Sequence, residues 1–103
     1  MIRNVVLGRL APDADLVRLE EAFAAMRRLQ VEGLLGLQTG PDAGLREGNW
    51  DYAITADLLD TEAYRRYDAD EEHNRIRREY FGPLSAEIVR CQFEVQDATS
   101  PGS

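Results

Sequence analysis

The opening segment, residues 2–10, carries apolar side chains on both of its alternating faces, and that property limits what the chain can become. Ile2, Val6 and Leu10 fall on one face of an extended strand, while Val5 and Leu7 fall on the other. A strand with one wet face would alternate apolar with polar residues. This segment therefore needs cover on both sides, helices on one and a second surface on the other.

The rest of the chain supplies the helices. Pro12 breaks the first strand, and Asp13 or Asp15 can cap a helix over residues 14–29. Leu16, Leu19, Phe23 and Met26 recur there at helical spacing, with Arg18, Glu20, Glu21, Arg27 and Arg28 mostly opposite. Residues 33–38 read as a short second strand, followed by a turn-rich stretch to Gly48. A third strand over residues 49–58 sets Trp50, Tyr52, Ile54, Ala56 and Leu58 on one face, predicted to look onto the helices. Asp60 and Thr61 start a short helix over residues 62–67, and a second helical stretch covers residues 70–80. Pro83 suits the first turn of a brief helix. Residues 87–95 then alternate, with Val89, Cys91, Phe93 and Val95 predicted inward and Arg90, Gln92 and Glu94 outward.

This order, β-α-β-β-α-β, is that of a ferredoxin-like α+β subunit with one antiparallel sheet and its helices on a single face. With 103 residues there is room for one core only. A domain so small gains from further burial, and a two-fold pair of sheets, a dimeric α/β barrel, is the economical way to cover the bare face. The domain spans residues 1–96; residues 97–103 lack an apolar pattern and are expected to form a disordered tail. Gly8, inside the first strand, marks either a bulge or room for a ligand beside the backbone.

Charge removes several function classes. A net charge of −7 repels phosphate backbones, and Arg75, Arg77 and Arg78 are interleaved with Asp70, Glu71, Glu72 and Glu79, so nucleic acid is not an expected partner. Apolar runs such as Val5-Val6-Leu7 fall far short of the ~20 residues of a membrane span, and no signal-peptide pattern precedes them, which makes a cytoplasmic location the default. Cys91 in its strand reads as a buried thiol packing as a small hydrophobe. One histidine and one cysteine are too few for zinc, and Asp68, Asp70, Glu71 and Glu72 lack the spacing of a calcium loop. No metal or cofactor is expected.

Four stretches are similar to one known family: Ile2-Arg3-Asn4-Val5-Val6-Leu7, Asp51-Tyr52-Ala53-Ile54-Thr55-Ala56-Asp57, the run from Ala63 through Tyr67 and Asp70-Glu71-Glu72 to His73, and Cys91-Gln92-Phe93-Glu94-Val95. The chain resembles the stress-responsive A/B barrel, or Dabb, family over residues 2–95. The resemblance implies a homodimer of ferredoxin-like subunits, each with a pocket between sheet and helices. Some members are cyclases of polyketide-like chains that use neither metal nor organic cofactor, while many have no assigned chemistry.

By that resemblance His73, the only histidine, takes the place of the catalytic base, and Tyr67 that of the residue polarising the substrate carbonyl. Intramolecular aldol closure needs a base working near neutral pH and a donor aimed at the developing oxyanion, which imidazole and phenol supply. The partner molecule would be a small hydrophobic or aromatic carbonyl compound. Asn4 stands where members commonly carry a second histidine; it can bind substrate but cannot move a proton at neutral pH. Val6, Phe23, Met26, Trp50, Tyr52 and Ile76 would line the pocket if they converge. The other reading is a non-catalytic, stress-responsive or ligand-binding homodimeric module, in which His73 and Tyr67 are structural and Phe23, Met26, Trp50 and Tyr52 fill the space. An open cavity reaching His73 favours chemistry, and solid packing favours the module.

Overall fold

The computed structural model describes residues 1–96, so the tail expected at residues 97–103 lies outside the described residues. Its elements run β1 (Ile2–Leu10), α1 (Leu16–Arg27), β2 (Leu34–Pro41), β3 (Tyr52–Leu58), α2 (Thr61–Ala69) and α3 (Glu71–Ile76). A π-helical segment, Arg77–Phe81, and a single helical turn, Gly82–Leu84, lead into β4 (Ser85–Glu94). Strand β1 pairs antiparallel with β3 on one edge and β4 on the other, giving the order β2-β3-β1-β4. This is the ferredoxin-like α+β fold expected from the sequence.

Register decides what each face carries. Ile2, Asn4, Val6 and Gly8 lie opposite Leu58, Ala56, Ile54 and Tyr52 on the helix side of the sheet. Helix α1 closes over them with Leu19, Ala22, Phe23, Ala25 and Met26. Its start is fixed by Asp15, whose carboxylate accepts from the Val17 amide at 2.9 Å. Leu16 was expected on the buried face but is 63% exposed; it is the first residue of the helix, and burial begins at Leu19.

The last strand has the predicted period and the opposite sense. Val89 pairs with Leu7, Cys91 with Val5 and Phe93 with Arg3, all on the face away from the helices. Arg90 and Gln92, expected outward, pair with Val6 and Asn4 on the helix side. Cys91 is accordingly exposed rather than buried. Alternation fixes which residues share a face; it cannot say which of two layers that face meets.

Trp50 does not belong to β3. The Leu10 amide is taken by the Asp51 carboxylate at 2.8 Å, which ends the ladder at Tyr52, and Trp50 packs instead under the Arg9 guanidinium, 4.2 Å from the ring centre. Gly8 serves neither of the roles expected of it. The register shift in β1 lies between Arg9 and Leu10, and the space beside Gly8 is filled by the Tyr52 ring. That ring joins Phe23 and Phe81 in an aromatic cluster, with centroids 6.0 and 5.5 Å away, and its hydroxyl meets Ser85 Oγ at 2.7 Å. No helix among the described residues is long and apolar enough to cross a membrane.

A Cβ on Gly8 would fall 2.0 Å from the Tyr52 ring. Gly8→Ala should therefore lower the unfolding free energy by about 1–3 kcal/mol in urea titrations, as overpacking does. Combining it with Tyr52→Leu should cost less than the sum of the single changes, since the second change removes what the first collides with.

Candidate active site

Two polar residues are buried among the described residues, Asn4 and His73, and both border the same cavity between the sheet and the helices. His73 arrives there through a break in the helical layer. Helix α2 stops at Ala69, and Asp70 adopts an extended conformation, with ψ at 130°, before α3 begins. The Asp70 carboxylate then caps α3 by accepting the His73 amide at 3.0 Å. The Tyr67 carbonyl at the end of α2 accepts the Asp70 amide at 3.3 Å, and His73 reaches back to its second lone pair: Nδ1 lies 2.8 Å from the Tyr67 carbonyl oxygen.

This hydrogen bond assigns the tautomer. A carbonyl can only accept, so Nδ1 carries the proton and Nε2 keeps its lone pair. Burial pushes the His73 imidazole down to about 4, with the Tyr67 carbonyl opposing the fall. The ring is neutral at pH 7, stacked on Tyr67 with centroids 4.0 Å apart. Burial also raises the Tyr67 phenol well above its ordinary range, so it stays protonated and can donate.

Across the cavity, Asn4 Oδ1 accepts from Gln92 Nε2 at 2.7 Å, leaving the Asn4 amide hydrogens for whatever enters. Val6, Met26, Tyr52, Tyr67 and His73 also line the space, as expected. Three expected residues do not. Phe23 and Ile76 are fully buried in the core behind it, and Trp50 sits beyond the end of β3. The sequence reading missed Ile54, Tyr64, Arg77, Phe81, Ile88 and Arg90. Tyr64 precedes Tyr67 by three residues and shares its helix face, a usable signal. Arg90 was assigned to the wrong side of β4, and Arg77 was set aside as one of a neutralised charge cluster.

Arg77 and Phe81 bound the π-helical segment, where the Gly82 amide bonds to the Arg77 carbonyl five residues back. Such an expanded turn re-aims side chains relative to an α-helix and recurs at functional sites. The cavity offers about 40 Å³ of room for the centres of water-sized groups, where a single water needs ~10–15 Å³. It is neither solidly filled nor large: a compact molecule fits, and a long chain would have to protrude. Among the described residues no group of three His, Cys, Asp or Glu side chains is placed to hold a metal ion.

Comparison with known proteins agrees with the fold. A family model described as the stress responsive A/B barrel domain matches residues 2–95. No curated relative matches the chain. Among solved structures, a dimeric ferredoxin-like protein of unknown function from Thermobifida fusca superposes with a TM-score of 0.84 at 28% identity, over 91% of this chain and 90% of that one. A hydroxynitrile lyase from Passiflora edulis gives 0.79 at 15% identity, covering 96% of each chain. SnoaB, a cofactor-independent oxygenase from Streptomyces nogalater, gives 0.73 at 17% identity, covering 95% of each. At these last two identities the likeness is one of fold.

The imidazole also has a thermodynamic signature. Its value in the folded chain lies below the unfolded value of about 6.5, so between these the unfolded state binds more protons. The stabilising contribution is complete above roughly pH 6.5 and is lost as pH falls toward the folded value. Urea midpoints should drop from about pH 7 to about pH 5 in the wild type, and His73→Gln should flatten that drop. An unaltered slope would assign the loss to other groups.

Proposed function

The chain belongs to the stress-responsive A/B barrel domain family, and from that premise we propose that it acts on a small carbonyl compound without a cofactor, His73 serving as the base. The observation carrying this reading is the pairing of a lone-pair-bearing Nε2 with a protonated phenol at the wall of one cavity. Nε2 takes a proton from the carbon beside the substrate carbonyl. The C–H electron pair becomes the enolate double bond, and the charge moves to the carbonyl oxygen, toward which Tyr67 and Asn4 can donate. Where the substrate carries a second carbonyl at ring-forming distance, the enolate carbon bonds to it, and the imidazolium returns its proton to the new alkoxide. That polyketide cyclase-like ring closure is the finer form of the proposal. Burial keeps the base neutral but weak, so its unassisted turnover of a simple ketone is slow and a bound substrate can strengthen it. The fold itself is compatible with catalysis that needs no cofactor, since a cofactor-independent oxygenase shares it.

The alternative, a non-catalytic ligand-binding module, is favoured by one observation: His73 already performs a structural task, bonding the carbonyl at the end of α2. Washout of deuterium from perdeuterated acetone, followed by NMR, separates the two readings. His73→Ala should slow it by about 100-fold or more with the fold retained by circular dichroism. An equal rate in the variant leaves only the module.

The proposed homodimer is supported by the bare face. Val89 and Phe93 are 40% and 46% exposed there, beside Val5, Leu7 and Cys91, an apolar strip that favours burial against a second copy. The Thermobifida fusca neighbour is a dimer. Sedimentation velocity at micromolar concentration should give a dimer for the wild type and a folded monomer for the Val89→Asp, Phe93→Asp double variant. A monomeric wild type would refute the pairing.

A further inference from the structure

The cavity does not share the charge of the chain around it. Acidic residues outnumber lysine and arginine by 19 to 12, yet the lining holds two arginines, Arg77 and Arg90, and no carboxylate. The two differ in how they are held. Arg77 turns its fork onto neighbours, with Nη2 at 2.9 Å from Asp68 Oδ1 and Nη1 at 3.0 Å from Asn74 Oδ1. Its charge is largely answered within the protein. Arg90 has no carboxylate within 4.0 Å among the described residues. It projects from the edge strand on the helix side, opposite Val6 and between the helix-side positions of Ile88 and Gln92.

Resting on the reading of the cavity as a carbonyl site, we infer that its substrate carries a carboxylate, and that Arg90 determines specificity by pairing with that group at the mouth of the cavity. A guanidinium presents a planar fork that matches a carboxylate with two parallel hydrogen bonds. Beside apolar walls such as Ile54 and Phe81 its field is less screened than in open water. The room available holds a handful of heavy atoms, so the fitting class is a short oxo acid. Its carbonyl lies toward Tyr67 and Asn4, and its carboxylate toward Arg90.

An anionic substrate also answers the weakness of the base. Negative charge brought near a neutral imidazole favours its protonated form, so a bound carboxylate lifts His73 toward the range in which it can hold the abstracted proton. Arg90 keeps that anion from being repelled by a chain of net charge −7. A neutral ketone gains neither effect and relies on the unassisted imidazole, whose slower washout still depends on His73.

The test compares acetoacetate with acetoacetamide, which differ in a carboxylate against an amide and share the rest of the skeleton. Titrations followed by NMR of the full chain should show acetoacetate binding about tenfold tighter, the size of one charge-assisted pair. Arg90→Gln should remove that preference by weakening acetoacetate alone. Equal binding of the two probes, a preference that survives Arg90→Gln, or binding of neither at millimolar concentration would each overturn the inference. The carbonyl reading is checked separately by the His73-dependent washout from acetone: anion preference without washout would leave recognition standing and remove the base chemistry, and washout without preference would do the reverse.

Discussion

Everything in this subunit is organised by the demand that β1 be covered on both faces. It is a central strand, hydrogen-bonded along one edge to β3 and along the other to β4, so it can move only if the whole sheet moves. Its even-numbered residues build the floor of the cavity: Asn4 supplies the buried amide, Val6 the apolar surface, and Gly8 the gap into which Tyr52 lies. Its odd-numbered residues, Arg3, Val5 and Leu7, build the outer face. Arg3 there is locked to Asp57 across the ladder by two hydrogen bonds of 2.7 and 3.1 Å, which leaves the apolar strip beside it continuous. One strand thus sets both the site and the surface proposed to pair, and a one-residue slip would exchange them.

The site depends on a helix that stops. Had α2 run on through Asp70, residues 67 and 73 would stand about 600° apart around one axis, on different faces, and the Tyr67 carbonyl would bond to the amide four residues later. The extended Asp70 instead turns α3 back so that the His73 ring can donate to the Tyr67 carbonyl alongside the Asp70 amide and stack on the Tyr67 ring. Three stabilising acts, the Asp70 cap, the Nδ1 hydrogen bond and the ring contact, also fix the tautomer and orient Nε2. The structural task of His73 and its suitability as a base are therefore one arrangement and need not compete.

The order of elements, the antiparallel sheet and the two-sided first strand were legible because each rests on local periodicity, which a single sequence carries. His73, Tyr67 and Asn4 were legible through the family resemblance, Val6 and Tyr52 through alternation within strands, and Met26 through helical spacing on the buried face of α1. What failed had a non-local cause. The sense of β4 was inverted because Val89, Cys91 and Phe93 announce an apolar face without saying whether helices or a second sheet will cover it; with that inversion Arg90 was lost from the site. Trp50 continued the alternation of β3 on paper, but Asp51 ends the ladder with a side-chain bond to β1 that no periodicity encodes. Phe23 and Ile76 are core, and only three-dimensional packing separates a core position from a cavity wall one layer away.

These corrections tie the outer face to the inner one. Strand β4 is the edge of the sheet, held by β1 alone, and its residues from 89 to 94 are all exposed in the single subunit. Its odd residues meet the bare face while Arg90 and Gln92 alternate between them toward the cavity, Gln92 bonding Asn4 directly. An edge strand with one set of hydrogen bonds and little packing is the part of a sheet freest to fray. Covering Val89, Cys91 and Phe93 with a second subunit would anchor β4 from outside and so hold Arg90 and Gln92 at the cavity, although the partner need contribute no residue to it. Pairing of subunits and definition of the site then become the same event in energetic terms, because both draw on alternate side chains of one strand.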